Sequence, residues 1–170
     1  MTRVKKNKPT DDVTHEMAFR AFLRSFGLLE RVMTPYFARF GISAAQWGVL
    51  RQLYRAEESG EIGLRVTELS NRLLIRLPSA TGVIDRLVKS GLVSRTAAAN
   101  DLRAKEIALT DTGRKLVHRV LAVHDKQIES ILAGLNQLEI GEFHFLLQKF
   151  QTRLEKLADS EYQNTELDNG

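Results

Sequence analysis

The chain has 170 residues, 43% of them hydrophobic and 27% charged, with a formal charge of +4. That is enough apolar mass for one domain with a real core, with or without an attached oligomerisation arm. It has no cysteine, which excludes disulfides, thiolate zinc sites, iron-sulfur clusters and thiol-based sensing or catalysis, and makes a cytoplasmic location the natural expectation.

The opening MTRVKKNKPTDDV is basic but has no apolar stretch of the kind export requires, and residues 1–13 read as a flexible basic tail. From Thr14 to Phe40, the residues Phe19, Phe22, Leu23, Phe26, Leu29, Met33, Tyr36 and Phe37 recur at steps of three and four. This predicts a long amphipathic helix over 14–40, interrupted at most by Pro35 and ended by Gly41. Ser43 followed by Gln46 is a capping-box pattern, and Trp47, Leu50, Leu53 and Tyr54 continue it as a second helix to about Arg55. After a short SGEIGL link, Thr67 is the expected cap of a brief third helix carrying Leu69, Leu73 and Leu74. A fourth runs from about Pro78 or Ser79 to Ser90, with proline near its first turn and glycine just past its last.

Two helices joined by the few residues around Ile75 to Leu77, the second rich in Ser, Thr, Arg and Lys, outline a helix-turn-helix. Val93 to Thr96 and Lys105 to Leu109 alternate on either side of AAANDLRA and pair as a hairpin, which would form a wing. Thr110 caps the next helix, with Asp111 in its first turn where the helix dipole favours negative charge. Val117, Val120, Leu121, Ile128, Ile131, Leu132 and Leu135 stripe that helix. After the break at LNQLEIGE, Phe143, Leu146, Leu147, Phe150, Leu154 and Leu157 stripe the last one. These two helices carry more apolar surface than a winged domain uses, and a second copy of the chain is the expected cover. No run approaches the roughly 18 to 20 apolar residues of a membrane span. Residues 159–170 carry acids and no bases and read as a flexible acidic tail.

The expected architecture is therefore mainly α with a small β-hairpin wing. A winged helix-turn-helix domain over 41–110 is flanked by a helical dimerisation arm from 14–40 and 111–158. Charge is concentrated in the middle: from Arg65 to Arg119 there are eleven Arg or Lys against five Asp or Glu. Such a patch in a near-balanced chain is the footprint of a phosphate-contacting surface.

With these elements in this order, the chain resembles the MarR family of winged helix-turn-helix transcription regulators. The resemblance is carried by AAQWGVLRQL at 44–53, VTELSNRL at 66–73, ATGVIDRLVKSGLVSR at 80–95 and DLRAKEIALTDTGRKL at 101–116. It implies a homodimeric regulator, most often a repressor, binding double-stranded DNA at a pseudo-palindromic operator. It further implies that Arg103 reaches the minor groove from the wing while Asp101 orients it. Without the other segments, that Asp-x-Arg pair would read as an ordinary turn ion pair.

On the fourth helix, Ser79, Thr81 and Arg86 are placed toward DNA, with Gly82 allowing close backbone approach; Arg86 has an alternative as a partner of Asp85 or of a helix-end carbonyl. Arg65, Arg72, Arg76, Lys89, Arg95 and Lys105 are phosphate-contact candidates. The resemblance also implies a small aromatic or phenolic anion as effector, in a cleft between arm and winged domain. Phe26, Met33, Trp47, Leu50 and Arg51 would line it, although for each apolar one the core is the stronger reading and only Arg51, beside an aromatic helix face, points to an anion. His15, His118, His124 and His144 lack metal-site spacing, no catalytic motif is present, and neither metal, cofactor nor enzymatic activity is expected. The alternative reading is a winged-helix module that binds protein through the same surface.

Overall fold

Several helices begin where a side chain gives the first amide groups an acceptor, at Thr14, Ser43, Thr110 and Asn136. The computed structural model describes residues 13–98 and 101–167, apart from the side chains of 97–104 and 161–167. Helix α1 (His15–Ala38) is capped by Thr14, whose hydroxyl accepts from the Met17 amide at 3.2 Å, and it continues through Pro35 without a break. Gly41, at φ +73°, turns the chain after it. Helix α2 (Ala44–Glu58) has the expected capping box: the Gln46 amide donates to Ser43 Oγ at 3.2 Å and the Ser43 amide to Gln46 Oε1 at 2.8 Å. It outlasts the expected end at Arg55 by three residues.

The next helix departs from expectation at its start. A two-residue strand, β1 (Leu64–Arg65), precedes α3 (Val66–Leu73), so Arg65 and not Thr67 occupies the cap. The reason lies in the sheet. Leu64 pairs with Ile107 and Arg65 with Glu106, which holds Arg65 extended, and the chain turns helical at the next residue. The Glu68 carboxylate accepts from the Arg65 amide and completes the cap. Leu74, expected in the apolar stripe of this helix, is instead its C-cap, left-handed at φ 52° and 89% exposed. The turn that follows is pinned by the buried Ser70, whose hydroxyl donates to the Ile75 carbonyl at 2.6 Å.

Helix α4 (Leu77–Lys89) carries Pro78 in its first turn and is followed by Gly91 at φ +69°. Strands β2 (Val93–Ala98) and β3 (Asp101–Leu109) form the antiparallel hairpin, longer than expected and shifted in register between Ala97 and Ala98, and the sheet order is β1-β3-β2. Helix α5 (Asp111–Leu132) starts directly from the hairpin. Thr110 Oγ1 accepts from the Gly113 amide at 3.0 Å and donates to the Gly91 carbonyl at 2.7 Å, so one side chain caps α5 and fastens it to the end of α4. Helix α6 (Gln137–Leu167) is capped by Asn136, which accepts from the Leu138 and Glu139 amides, and it runs past residue 158.

The chain divides into two compact units, one up to Val120 and one from Leu121 onward. In the first, Val49, Leu50 and Leu53 of α2, Leu69 of α3, Ile84 and Leu87 of α4, Leu64 and Ile107 of the sheet, and Val117 and Val120 of α5 are at most 1% exposed. Each large side chain so buried contributes about 1.5 to 3 kcal/mol, and together they fix the outer face of α4.

Candidate nucleic-acid interface

The burial pattern of α4 decides which of its side chains face outward. Ala80, Val83, Ile84 and Leu87 turn inward at steps of three and four. On the opposite side, Ser79 and Arg86 are exposed and Gly82 lies between them, so the three form one strip along the helix. A Cβ built on Gly82 would meet only Arg86 Nη1, at 3.9 Å, so the strip is open at its middle. Thr81 is half-buried beside it, its hydroxyl donating to the Leu77 carbonyl at 3.0 Å.

The candidate phosphate-contacting cations fall into two groups. Arg65, Arg76, Lys89 and Lys105 are exposed and make no ion pair among the described residues; neither does Arg86. Arg72 and Arg95 are committed. Arg72 Nη2 donates to both carboxylate oxygens of Glu61, at 2.9 and 3.2 Å. Arg95, on β2, pairs with Asp85 on the outer side of α4, and Asp85 is therefore not the partner of Arg86. The side chains of Asp101 and Arg103 lie outside the described residues; their backbone belongs to β3.

The five residues expected at an effector cleft are dispersed. Leu50 is wholly buried and Trp47 is 7% exposed, packed on Phe37 with ring centroids 5.8 Å apart, so both are core residues because α2 turns that face inward. Phe26 is 54% exposed and Met33 half-buried on α1. The Arg51 guanidinium lies over Tyr54 at 5.6 Å, with Nη1 3.5 Å from Glu58. A cavity of about 430 Å³ in the same unit contains none of these five in its lining; Phe40, Ile42, Leu92, Lys115, Leu116 and Arg119 line it instead.

Sequence reasoning missed a bridge that seats the base of the wing. Arg114 of α5 donates to both carboxylate oxygens of Glu57 on α2, at 2.9 and 3.0 Å, and to Asp111 at 2.7 Å. The hydrogen bond to Glu57, ahead of the other contributions, raises the guanidinium pKa further above its ordinary value, so its charge is permanent. Partners 57 positions apart leave no local pattern; only a carboxylate at the end of one helix and an arginine at the start of another hint at them. Among the described residues no cluster of His, Asp and Glu is arranged to hold a metal, and no helix is long and apolar enough to cross a membrane.

Comparison with known proteins gives the family and the fold. The MarR family model matches residues 40–104, from the end of α1 into β3. The HTH-type transcriptional regulator FarR of Neisseria gonorrhoeae is 31% identical over 134 residues, which cover 77% of this chain and 86% of that protein. The HTH-type transcriptional regulator PecS of Dickeya dadantii is 25% identical over 150 residues, covering 88% of this chain and 89% of that one. Among solved structures, a mutant MarR from Escherichia coli complexed with operator DNA superposes with a TM-score of 0.71 at 25% identity, over 82% of this chain and 99% of that chain. The chain belongs to the MarR family of HTH-type transcriptional regulators.

Proposed function

We propose that this DNA-binding transcription regulator acts in the cytoplasm as a homodimeric repressor on a pseudo-palindromic operator. Each protomer lays α4 into the major groove, and Arg103, oriented by Asp101, enters the adjacent minor groove from the wing. One observation carries the reading: in the strip of α4 formed by Ser79, Gly82 and Arg86 both polar side chains are exposed, and Arg65, Arg76, Lys89 and Lys105 are exposed cations with no ion pair among the described residues. A strip built for protein contact would present apolar anchors among fewer charges. The mutant MarR complexed with operator DNA, similar in fold over 82% of this chain, supports DNA as the partner.

The test is titration of an operator selected from genomic fragments. Affinity should fall steeply with salt, and Arg103→Ala should weaken binding by roughly 1 to 3 kcal/mol at little cost in melting temperature. Salt-tolerant capture of a protein partner with no operator preference would overturn it in favour of an interaction module.

The effector is proposed to be a small aromatic or phenolic anion. Its chemistry fits the cavity beside Phe40 better than the dispersed set at Phe26, Met33, Trp47, Leu50 and Arg51: Ile42, Leu92 and Leu116 are apolar, and Lys115 and Arg119 supply positive charge. An aromatic carboxylate should lower operator affinity, and Lys115→Ala with Arg119→Ala should abolish that response. Retention of the response in the double variant would exclude this cavity.

A further inference from the structure

An acidic side chain on a surface that meets DNA works against binding, because the duplex is a dense array of phosphate charges. Helix α4 nonetheless carries Asp85, 53% exposed, on the outer side of the helix between Gly82 and Lys89. Asp85 Oδ1 stands 2.5 Å from Nη2 of Arg95, which projects from β2 and is itself 34% exposed. The pair spans the two elements that are to enter adjacent grooves.

Stability is a weak reason for such a pair. Exposed ion pairs contribute little to folding, typically under about 1 kcal/mol, and α4 is already seated by Ala80, Val83, Ile84 and Leu87. Nor does Asp85 serve the helix dipole, since it lies beyond the first turn of α4. What the pair fixes is the placement of β2 against α4 at Arg95, where β2 pairs with Ile107 of β3 and the hairpin runs on toward its tip.

We propose that Asp85 and Arg95 form a latch that sets the spacing between the recognition helix and the wing, making both of them positioning residues for operator selection rather than phosphate or base contacts. The latch rests on the DNA-binding reading above. It gives up nonspecific attraction for specificity: one carboxylate repels any duplex, while the correct groove-to-groove spacing is rewarded on the operator alone.

The experiment measures dissociation constants on the selected operator and on a scrambled duplex of equal length. It compares the wild-type protein with Asp85→Ala, Arg95→Gln and the charge exchange Asp85→Arg with Arg95→Asp, with melting temperature as a folding control. Asp85→Ala should bind the scrambled duplex at least as tightly as wild type, yet bind the operator on the order of fivefold more weakly, so the ratio of the two constants collapses. The exchange variant, equal in net charge to wild type, should recover most of that ratio.

Equal tightening on both duplexes in Asp85→Ala would show a bystander charge and overturn the latch. A uniform loss in Arg95→Gln that Asp85→Ala does not reproduce, with the salt dependence shallower by about one phosphate, would make Arg95 a phosphate contact and overturn it as well. If wild-type protein fails to distinguish operator from scrambled DNA, the regulator reading fails instead.

Discussion

Three residues separate the demands of folding from those of DNA contact. A Cβ on Gly113 would stand 2.0 Å from the Leu92 carbonyl oxygen, because the first turn of α5 lies directly against the backbone entering β2. Gly113→Ala should therefore destabilise the protein by about 2 to 3 kcal/mol through forced backbone displacement, read as a lower urea midpoint. Gly82, also helical, would bring a Cβ only into ordinary contact with Arg86 Nη1, at 3.9 Å. Gly82→Ala should raise stability by roughly 0.5 to 1 kcal/mol from helix propensity while weakening operator binding, a split that distinguishes close backbone approach from packing. Leu74 presents the opposite case: its left-handed backbone is strained and its side chain contributes almost no burial. Leu74→Gly should stabilise the chain by up to about 1 kcal/mol in the same assay, and a loss there would mean that the exposed leucine has contacts in the assembled state.

At the scale of elements, the wing is held from both ends. Thr110 fastens the start of α5 to the turn after α4, and Arg114 ties the same helix turn to the end of α2. Arg114→Ala should cost about 1 kcal/mol, a modest figure because solvent reaches the guanidinium. It should also leave the hairpin amides of β2 and β3 exchanging faster with solvent than in wild type; unchanged protection would show that Thr110 and the apolar contacts suffice.

The helices, the hairpin and the Thr110 cap were legible because each is written locally: Ser43 with Gln46, Pro78 with Gly91, alternating residues around the wing. Strand β1 was not, since two residues carry no periodicity and its existence depends on Ile107 and Glu106 far along the chain. The cap of α3 falls at Arg65 and not at Thr67 for the same reason. On α4 the polar Ser79 and Arg86 are exposed as expected while Thr81 is half-buried, and the commitments of Arg72 to Glu61 and Arg95 to Asp85 depend on how helices and strands approach one another. Trp47 and Leu50 lie in the core, the reading that their place in the apolar stripe of α2 favours from the sequence.

For the whole molecule, the apolar residues left uncovered by one chain define the next test. Met17, Phe19, Leu23 and Phe26 of α1 are each more than half exposed, and Leu146, Leu154 and Leu157 of α6 are at least 41% exposed. Apolar faces of this extent are covered in stable soluble proteins, here by the proposed second copy. Leu146→Asp with Leu154→Asp should leave the single chain folded, since neither residue is buried in it, yet shift sedimentation from dimer to monomer and abolish operator binding with it. A wild-type protein sedimenting as a monomer at micromolar concentration would remove the dimer from the proposal.

The sheet order β1-β3-β2 also has a consequence in time. The helix-turn-helix lies wholly between Leu64 and its partner Ile107, so the pairing of these two encloses it. Helices α2, α3 and α4 form from near neighbours, but closing that loop must wait for the hairpin, and loop closure is the entropically slow kind of contact. The expected signature in stopped-flow refolding is a fast helical phase followed by a slower one, with Ile107→Val retarding the slow phase and leaving the fast one unchanged. A single phase seen equally by helical and tertiary probes would contradict it. On this account the reading head of the molecule takes shape early and becomes firm late, when the last strand of the wing arrives to lock the segment that came before it.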